Sequence, residues 1–218
     1  SLSSLPGNVE IIKLDKNYGF GKGYNLGIEK CVTDNDQYLI LLNYDTIVPN
    51  NFVHSIFENK NGINAGHIYG VKILYHSNRE LIWYAGGEVD LSKGLISHRG
   101  IGKHINSFLK DENTDYITGC CMIMHKDIFF KLKGFDERFF MYNEDVDLCL
   151  RAREIGIKSR FLSNVTLLHK ISLSLGGNYS IKKILIKTKS CYQIFNKKYS
   201  LLTSIFLLSK YIIRSILK

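Results

Sequence analysis

The sequence has 218 residues, of which 45% are hydrophobic and 22% are charged. These values are typical of a globular protein that is long enough to bury a core of its own. With only two prolines and no Gly/Ser-rich linker, we expect one main domain. No run of about 20 apolar residues occurs, which speaks against a helix that spans a bilayer. Residues 1–7 lack the apolar segment that a signal peptide would have.

The net charge of +9 is concentrated at the C-terminal end. Residues 181–218 contain nine Lys or Arg residues and no Asp or Glu, so the preceding residues are neutral as a whole. A basic, apolar tail on a neutral domain predicts contact with an anionic surface, although a solvated basic helix would have the same composition.

The cysteines are five in number and include no Cys-x-x-Cys pair. An odd count without such a pair indicates reduced, intracellular thiols rather than a disulfide framework, and it speaks against a cysteine-ligated zinc site.

Alternating strand and helix patterns in the first half predict an α/β domain. Residues 9–14 favour a strand, a Gly- and Asn-rich loop over 17–23 follows, and 24–32 favour a helix. The continuous apolar run 37–42 is typical of a buried parallel strand, and 50–58 predict a second helix. Strand and helix in alternation indicate a parallel sheet.

Further elements are predicted along the rest of the domain. We expect strands at 67–75, 82–89, 115–124, 157–161 and 165–168, a short helix at 126–132, and a loop or excursion over 92–111. The clearest helix covers 144–155, because Asn143 can cap it, acidic residues load its first turn, and Gly156 ends it.

The final segment, 201–218, has the pattern of an amphipathic helix. Lys210, Arg214 and Lys218 recur every four residues and share one face, whereas Ile, Leu and Phe occupy most of the remainder. This pattern is typical of a helix in a membrane interface, and a helix packed on the domain or in a homodimer would show it too. We therefore divide the chain into a domain over 1–180 and a basic helical tail over 181–218.

Candidate metal ligands follow two of the predicted strands. Asn43, Tyr44 and Asp45 come directly after the buried strand 37–42. Ligands of open α/β sheets bind beyond the carboxyl ends of strands, where an Asp can offer a hard oxygen ligand to Mg²⁺ or Mn²⁺. A turn or helix cap would also explain Asp45. His169 becomes a ligand candidate only if the fold brings it near Asp45.

Five carboxylates lie among aromatic residues in a short stretch: Asp136, Glu137, Glu144, Asp145 and Asp147. Crowded acids near apolar walls acquire raised pKa values, which suits a general base. Alternatively, the acids at the helix start only complement the helix dipole, and Asp147 pairs with Arg151. We favour this alternative for Asp147, and both interpretations stay open for Glu144 and Asp145.

Taken in order, these segments resemble the family-2 glycosyltransferases, especially the rhamnosyltransferase-like members of bacterial and archaeal surface-polysaccharide pathways. The resemblance runs from Asn8 to about Ser174. It rests on NYGFGKGYNLGI (17–28), LLNYDT (41–46), GG (86–87), TGC (118–120), GFDERFF (134–140), EDVDL (144–148) and His169. It implies a GT-A fold, an α/β domain with a mixed sheet flanked by helices, here followed by the C-terminal helical tail.

The resemblance also implies roles for individual residues. Asp45 and His169 would bind a Mn²⁺ or Mg²⁺ ion that bridges the donor diphosphate, and Asn43, which replaces the first Asp of the family's metal motif, would help at the donor. Asp145, paired with Glu144, would be the base that takes the proton of the acceptor hydroxyl. Six further residues would line the donor and sugar sites: Asn17, Gly19, Lys22, Asn25, Gly119 and Cys120.

The expected function is an inverting, metal-dependent transfer of a sugar, with rhamnose typical of this subgroup, from a dTDP- or UDP-sugar to a glycan or lipid-linked acceptor. The expected location is the cytoplasmic face of the cell membrane, with 201–218 on anionic lipid and a homodimer as an option. Nucleic-acid binding is disfavoured, because lipid or packing explains the apolar tail better.

Family members open with a strand of the form V-S-I-V-I-V-T-Y-N and a helix, whereas this chain begins after that point. One strand–helix unit, about 40–50 residues, is therefore expected to be absent. The alternative function that follows is an inactive or truncated glycosyltransferase-like domain that acts as a binding or membrane-associated module.

Overall fold

The computed structural model describes residues 9–58, 62–170 and 181–216. The helices are α1 (Phe20–Cys31), α2 (Phe52–Phe57), α3 (Lys126–Lys131), α4 (Glu144–Glu154), α5 (Ile181–Asn196) and α6 (Leu201–Ile216). The strands are β1 (Tyr38–Leu42), β2 (Thr46–Ile47), β3 (His67–Tyr75), β4 (Ile82–Tyr84), β5 (Gly87–Asp90), β6 (Leu95–His98), β7 (Glu112–Thr114), β8 (Cys121–His125) and β9 (Lys158–His169).

A mixed seven-stranded sheet forms the centre of the fold. Its main path is β1-β8-β3-β9-β2, with β4 also paired to β3 and β7 also paired to β9. β3 runs parallel to β9 and antiparallel to β8, and nearly all of its residues are buried, as expected of a central strand. The predicted α/β class with a mixed sheet flanked by helices is confirmed.

Apolar side chains cover both faces of this sheet. α2 packs on one face through Phe52 and Ile56, against buried residues of β3 and β9. α1, α3 and α4 pack on the other face, where buried residues of α5 and α6 join the same cluster: Cys191, Ile194, Phe195, Leu207 and Tyr211. The division at residue 180 stays a prediction, and the tail packs against the domain core.

The structure corrects three predictions in the first half. Residues 9–14 form no strand, because within the described ranges they pair with no other strand. α1 begins at Phe20, inside the predicted loop 17–23, because Gly19 turns the chain at φ 86° and the Phe20 N–H donates to the Phe140 carbonyl at 2.9 Å. β1 is antiparallel to its neighbour β8 rather than parallel, since a continuous apolar run indicates burial and not direction.

Later boundaries change for similar reasons. The strand predicted over 82–89 is divided by Gly86, at φ 95°, so that β4 stays in the main sheet and β5 pairs with β6. The excursion 92–111 therefore contains β6 and part of a short 3-10 helix, Leu91–Lys93. The segment predicted over 115–124 is a strand only from Cys121. The two strands predicted at 157–161 and 165–168 are one strand, β9, with a register shift against β3.

Candidate active site

The register of β2 against β9 brings Asp45 and His169 together. Thr46 pairs with His169 across the two strands, and the Thr46 hydroxyl donates to the Asn43 carbonyl at 2.7 Å, which closes the turn after β1. Asp45 Oδ1 lies 3.3 Å from His169 Nε2, and both side chains are almost fully buried. The condition set by the sequence for His169 as a ligand candidate is therefore met.

The surroundings of His169 favour its neutral form. The Trp83 ring centroid lies 4.4 Å from the imidazole centroid, and within the described part of the chain the buried Nδ1 has no hydrogen-bond partner. Burial lowers the pKa of His169, although the Asp45 carboxylate acts in the opposite direction. A neutral imidazole is the form that binds metal ions.

One carboxylate and one imidazole suit a divalent ion that is shared with a substrate. No group of three or more His, Cys, Asp or Glu side chains that could hold a metal occurs in residues 9–58, 62–170 and 181–216. Mg²⁺ in phosphate-binding sites commonly has only one or two protein carboxylates, with phosphate oxygens and water as its other ligands. Asp45 offers the carboxylate oxygen that suits Mg²⁺ and Mn²⁺, and His169 offers a neutral imidazole, a common ligand of transition metals.

Glu144 and Asp145 begin α4 and differ in their contacts. Asp145 Oδ2 accepts from the Gly119 N–H and Oδ1 from the Val146 N–H, both at 2.8 Å. Glu144 is buried, and its Oε2 has no hydrogen-bond partner among the described residues. Burial, together with the Asp145 charge, raises the pKa of Glu144 to about 8. Burial also raises the pKa of Asp145, while the two amides oppose this by stabilising its carboxylate.

Both pKa values are raised, and the hydrogen bonds distinguish the two residues. A pKa near 8 leaves Glu144 mainly protonated at neutral pH. The two backbone amides favour Asp145 as the ionised member, and Asp145 is also the more accessible of the two. Among the crowded acids, the pKa values are thus raised for Glu144 and Asp145, whereas hydrogen bonds from Arg138 and Lys22 lower the pKa values of Asp136 and Glu137.

The turn before α4 is held by α5 rather than by a cap. Asn143 forms no capping hydrogen bond, in contrast to the prediction, because it adopts φ 63° in the left-handed region. Its side-chain amide donates to Ser190 Oγ at 3.0 Å and to Cys191 Sγ at 3.2 Å. Ser190 in turn donates to the carbonyl of Tyr142, which is also left-handed at φ 71°. A non-glycine residue in the left-handed region costs roughly 1–2 kcal/mol of folding free energy. The contacts from α5 offset this cost and maintain the turn.

Cys120 lies between the two groups of side chains. Its carbonyl accepts from the Asn43 N–H at 3.1 Å, next to the Asp45 turn, and the preceding Gly119 N–H binds Asp145. Burial raises the pKa of the Cys120 thiol, and the carboxylates of Asp45 and Asp145 act in the same direction. Backbone hydrogen bonds of two adjacent residues, Gly119 and Cys120, therefore connect Asp145 to the turn that carries Asp45.

Aromatic residues that the sequence did not indicate form a row of contacts from His169 to Tyr116. Trp83 contacts His98 as well as His169, with ring centroids 4.8 Å apart in the former pair. His98 Nδ1 and the Tyr116 hydroxyl are hydrogen bonded at 2.7 Å. The available signal was Trp83 itself, which is the single Trp of the chain and stands shortly before Gly86-Gly87.

The residues predicted to border the donor pocket contact residues 134–140. Asn25 both donates to and accepts from the backbone of Phe135 at 2.9 Å, and Lys22 forms a 2.7 Å ion pair with Glu137. Asn17 accepts from the Gly19 N–H at 2.9 Å. A Cβ at Gly119 would lie 2.7 Å from the Phe20 ring, so glycine lets Phe20 of α1 pack against the backbone whose N–H binds Asp145. Direct contact of these residues with a donor stays a prediction.

Comparison with known proteins identifies the family. The model of the family described as Glycosyl transferase family 2 matches residues 1–132, more than half of the chain. The chain belongs to glycosyl transferase family 2. Glu144, Asp145 and His169 lie beyond the matched residues, so their roles rest on the geometry above and on the resemblance of the motifs.

Several curated relatives of this family-2 chain have names that specify a sugar. It is 26% identical over 162 residues to the rhamnosyltransferase WbbL of Escherichia coli, covering 70% of this chain and 61% of the relative. It is 38% identical over 61 residues to the N-acetylglucosaminyl-diphospho-decaprenol L-rhamnosyltransferase of Mycobacterium tuberculosis, covering 28% and 20% of the two chains. A low-salt glycan biosynthesis hexosyltransferase of Haloferax volcanii is 27% identical over 154 residues, covering 69% and 48%. The chain thus spans less than two thirds of the length of these relatives.

A solved structure confirms the GT-A fold of this family-2 chain. The crystal structure of GalNAc-T7 with UDP, GalNAc and Mn²⁺ superimposes with a TM-score of 0.59 at 17% sequence identity, covering 75% of this chain and 32% of that one. At this identity the similarity establishes the nucleotide-sugar transferase fold alone.

Proposed function

We propose that this chain transfers a sugar, with inversion, from a nucleoside-diphosphate donor to a hydroxyl group of an acceptor. The observation that carries the proposal is the placement of two acidic pairs at the end of the sheet where β1 and β9 end and β8 begins: Asp45 with His169, and Asp145 with Glu144. Membership of glycosyl transferase family 2 supports the reaction class.

Asp145 is the proposed base. Its carboxylate accepts the proton of the acceptor hydroxyl while the hydroxyl oxygen forms a bond to the anomeric carbon of the donor. The bond from that carbon to the diphosphate breaks on the opposite face, which inverts the anomeric centre. The Gly119 and Val146 amides orient the carboxylate, and Glu144 remains protonated beside it. A Mn²⁺ or Mg²⁺ ion bound by Asp45 and His169 would supply Lewis-acid stabilisation of the leaving diphosphate.

The proposed substrates follow the named relatives. The two rhamnosyltransferases support a rhamnose donor, for which the resemblance implies dTDP, and the UDP bound to GalNAc-T7 supports a UDP-sugar. A lipid-linked or glycan acceptor in surface-polysaccharide synthesis is supported by the diphospho-decaprenol acceptor in the mycobacterial name. Such an acceptor would place the chain at the cytoplasmic face of the membrane, with residues 201–218 of the tail on anionic lipid.

Calorimetric titration tests donor binding. Purified chain is titrated with UDP and with dTDP, each with and without Mn²⁺. Asp45→Asn is compared with Asp127→Asn, which changes a mostly exposed carboxylate in the first turn of α3. We expect Mn²⁺-dependent binding by the parent and by D127N, and at least tenfold weaker binding by D45N. If neither nucleotide binds in the presence of Mn²⁺, the alternative of an inactive binding module replaces this proposal.

The assignment of the base is tested by Asp145→Asn. This change removes the proton acceptor and keeps the shape of the side chain, so transfer to a model acceptor should be abolished while Mn²⁺-dependent nucleotide binding is retained. Transfer at the parent rate would contradict the role of Asp145.

A further inference from the structure

The outward side of α6 is apolar although it is exposed. Ser204, Leu207 and Tyr211 form the buried inner side of this helix. Six large apolar residues, between 36% and 80% exposed, lie away from that side at the spacing of an α-helix. We call them the α6 outer face: Leu201, Leu202, Ile205, Phe206, Ile212 and Ile213.

The inner side of α6 is anchored to the domain. Lys187 of α5 lies 5.8 Å from the Tyr211 ring centroid, and Arg214 donates to the Lys93 carbonyl at 2.8 Å. A Cβ at Gly94 would lie 2.6 Å from the Leu207 carbonyl oxygen, so the helix is closely packed on this turn. The α6 outer face is therefore held in a fixed orientation.

The C-terminal helices carry an excess of basic residues. Residues 181–216 contain eight Lys or Arg residues and no Asp or Glu. Lys210 extends its ammonium over the Phe206 ring, 4.4 Å from the centroid, at the edge of the apolar surface. The neighbouring Asp90 is already paired with Lys93 at 2.8 Å. Lys197, directly after α5, is paired with Asp136 and Asp147, whereas Lys210 stands at the apolar surface, so the rim of the face that Lys210 occupies is positive.

An occupant of this face must be apolar and negatively charged at its rim. Two copies of the chain joined through this face would bring like charges together, which opposes self-association. A bilayer with anionic lipids offers acyl chains to the apolar residues and headgroups to the lysines. Within the described segments no helix has the length and hydropathy needed to cross a membrane.

We propose that the α6 outer face docks in the interfacial region of an anionic membrane, with Lys210 at the headgroups. Docking itself does not depend on catalysis. Its connection to the reaction rests on the proposed function. α5, which packs beside α6, contacts the turn before Glu144 and Asp145 through Ser190, and its Gln193 donates to the Arg138 carbonyl at 3.0 Å. The membrane would therefore lie in a fixed relation to the site where a lipid-linked acceptor is needed.

Vesicle flotation tests the docking. The whole chain is mixed with vesicles of phosphatidylcholine alone, or with about 30% phosphatidylglycerol, at low and high NaCl. The test variant is Ile205→Ser with Phe206→Ser, and the control is Val53→Ser with Phe130→Ser, which changes two comparably exposed apolar residues on α2 and α3. Circular dichroism checks that each variant is folded.

We expect the parent and the control to bind anionic vesicles at least tenfold more strongly than phosphatidylcholine vesicles, with binding weakened by NaCl. The test variant should lose at least tenfold of that binding. Absence of binding by the parent, or equal binding by the test variant, would overturn the proposal, as would a dimer that the test variant abolishes without any vesicle binding. Because no nucleotide is present, failure of the docking and failure of donor binding are separate results.

Discussion

Replacement of Asp147 by Asn tests whether the third acid of the motif is structural. Asp147 Oδ2 pairs with Arg151 Nε at 2.8 Å, as the sequence predicted, and Oδ1 also pairs with Lys197 of α5. The Asp147 side chain is 3% exposed, whereas those of Arg151 and Lys197 are 26% and 29% exposed. Asn keeps the shape but leaves both cations without this carboxylate.

The expected cost follows from that partial exposure. Removing one partner of a buried ion pair costs about 3–5 kcal/mol. Arg151 also donates to the Leu132 and Gly134 carbonyls, and Lys197 also pairs with Asp136, so both cations keep other partners. We therefore expect D147N to lose about 2–3 kcal/mol of unfolding free energy, or roughly 4–12 °C in Tm for a chain of this size.

Urea denaturation followed by circular dichroism measures this loss. The control D127N should stay within about 0.5 kcal/mol of the parent, because its side chain is mostly exposed. A double-mutant cycle with Lys197→Met should show a coupling of about 1 kcal/mol or more. Parent-like stability of D147N, or simple additivity with K197M, would refute the structural role. Loss of nucleotide binding at full stability would instead place Asp147 in the site.

Three further predictions concern the site and its support. The pKa of Glu144 is about 8 in the folded chain and 4.5 for an ordinary Glu. The free energy of unfolding should therefore fall as pH rises from 4.5 to 8, by up to about 1.4 kcal/mol per pH unit. Glu144→Gln should flatten the curve of unfolding free energy against pH. Identical curves for the parent and E144Q would contradict the raised pKa of a buried Glu144 carboxyl. Gly19→Ala should destabilise by about 2 kcal/mol or more, since its Cβ would lie 2.1 Å from the Phe140 oxygen at φ 86°. Gly23→Ala, in open space on α1, should stabilise by about 0.5–1 kcal/mol, and equal denaturation midpoints for the two would refute this contrast. Ser190→Ala should cost about 1–3 kcal/mol and lower the transfer rate, and an unchanged rate would mean that α5 does not position the turn before α4.

Local features of the sequence determined most of the elements. The apolar run 67–75 is β3 with the same bounds, and the helix predicted over 144–155 is α4, because acidic residues at its start and Gly156 at its end act within one turn. The pairing of Asp147 with Arg151 was also readable, since it spans one turn of helix. The motifs that resemble family 2 indicated the fold, which the family match and the solved structure confirm.

Only the tertiary structure decided the direction of β1, the approach of His169 to Asp45, and the contacts that hold the turn before α4. The apolar run 37–42 indicated burial, but only strand pairing with β8 set its antiparallel direction. The approach of His169 to Asp45 depends on the register of β2 against β9, which no local pattern encodes. The prediction that Asn143 caps α4 was wrong because α5, distant in sequence, binds its side chain and maintains a left-handed turn. Local rules describe residues within one turn or one strand, whereas these contacts arise only when separate segments pack into one core.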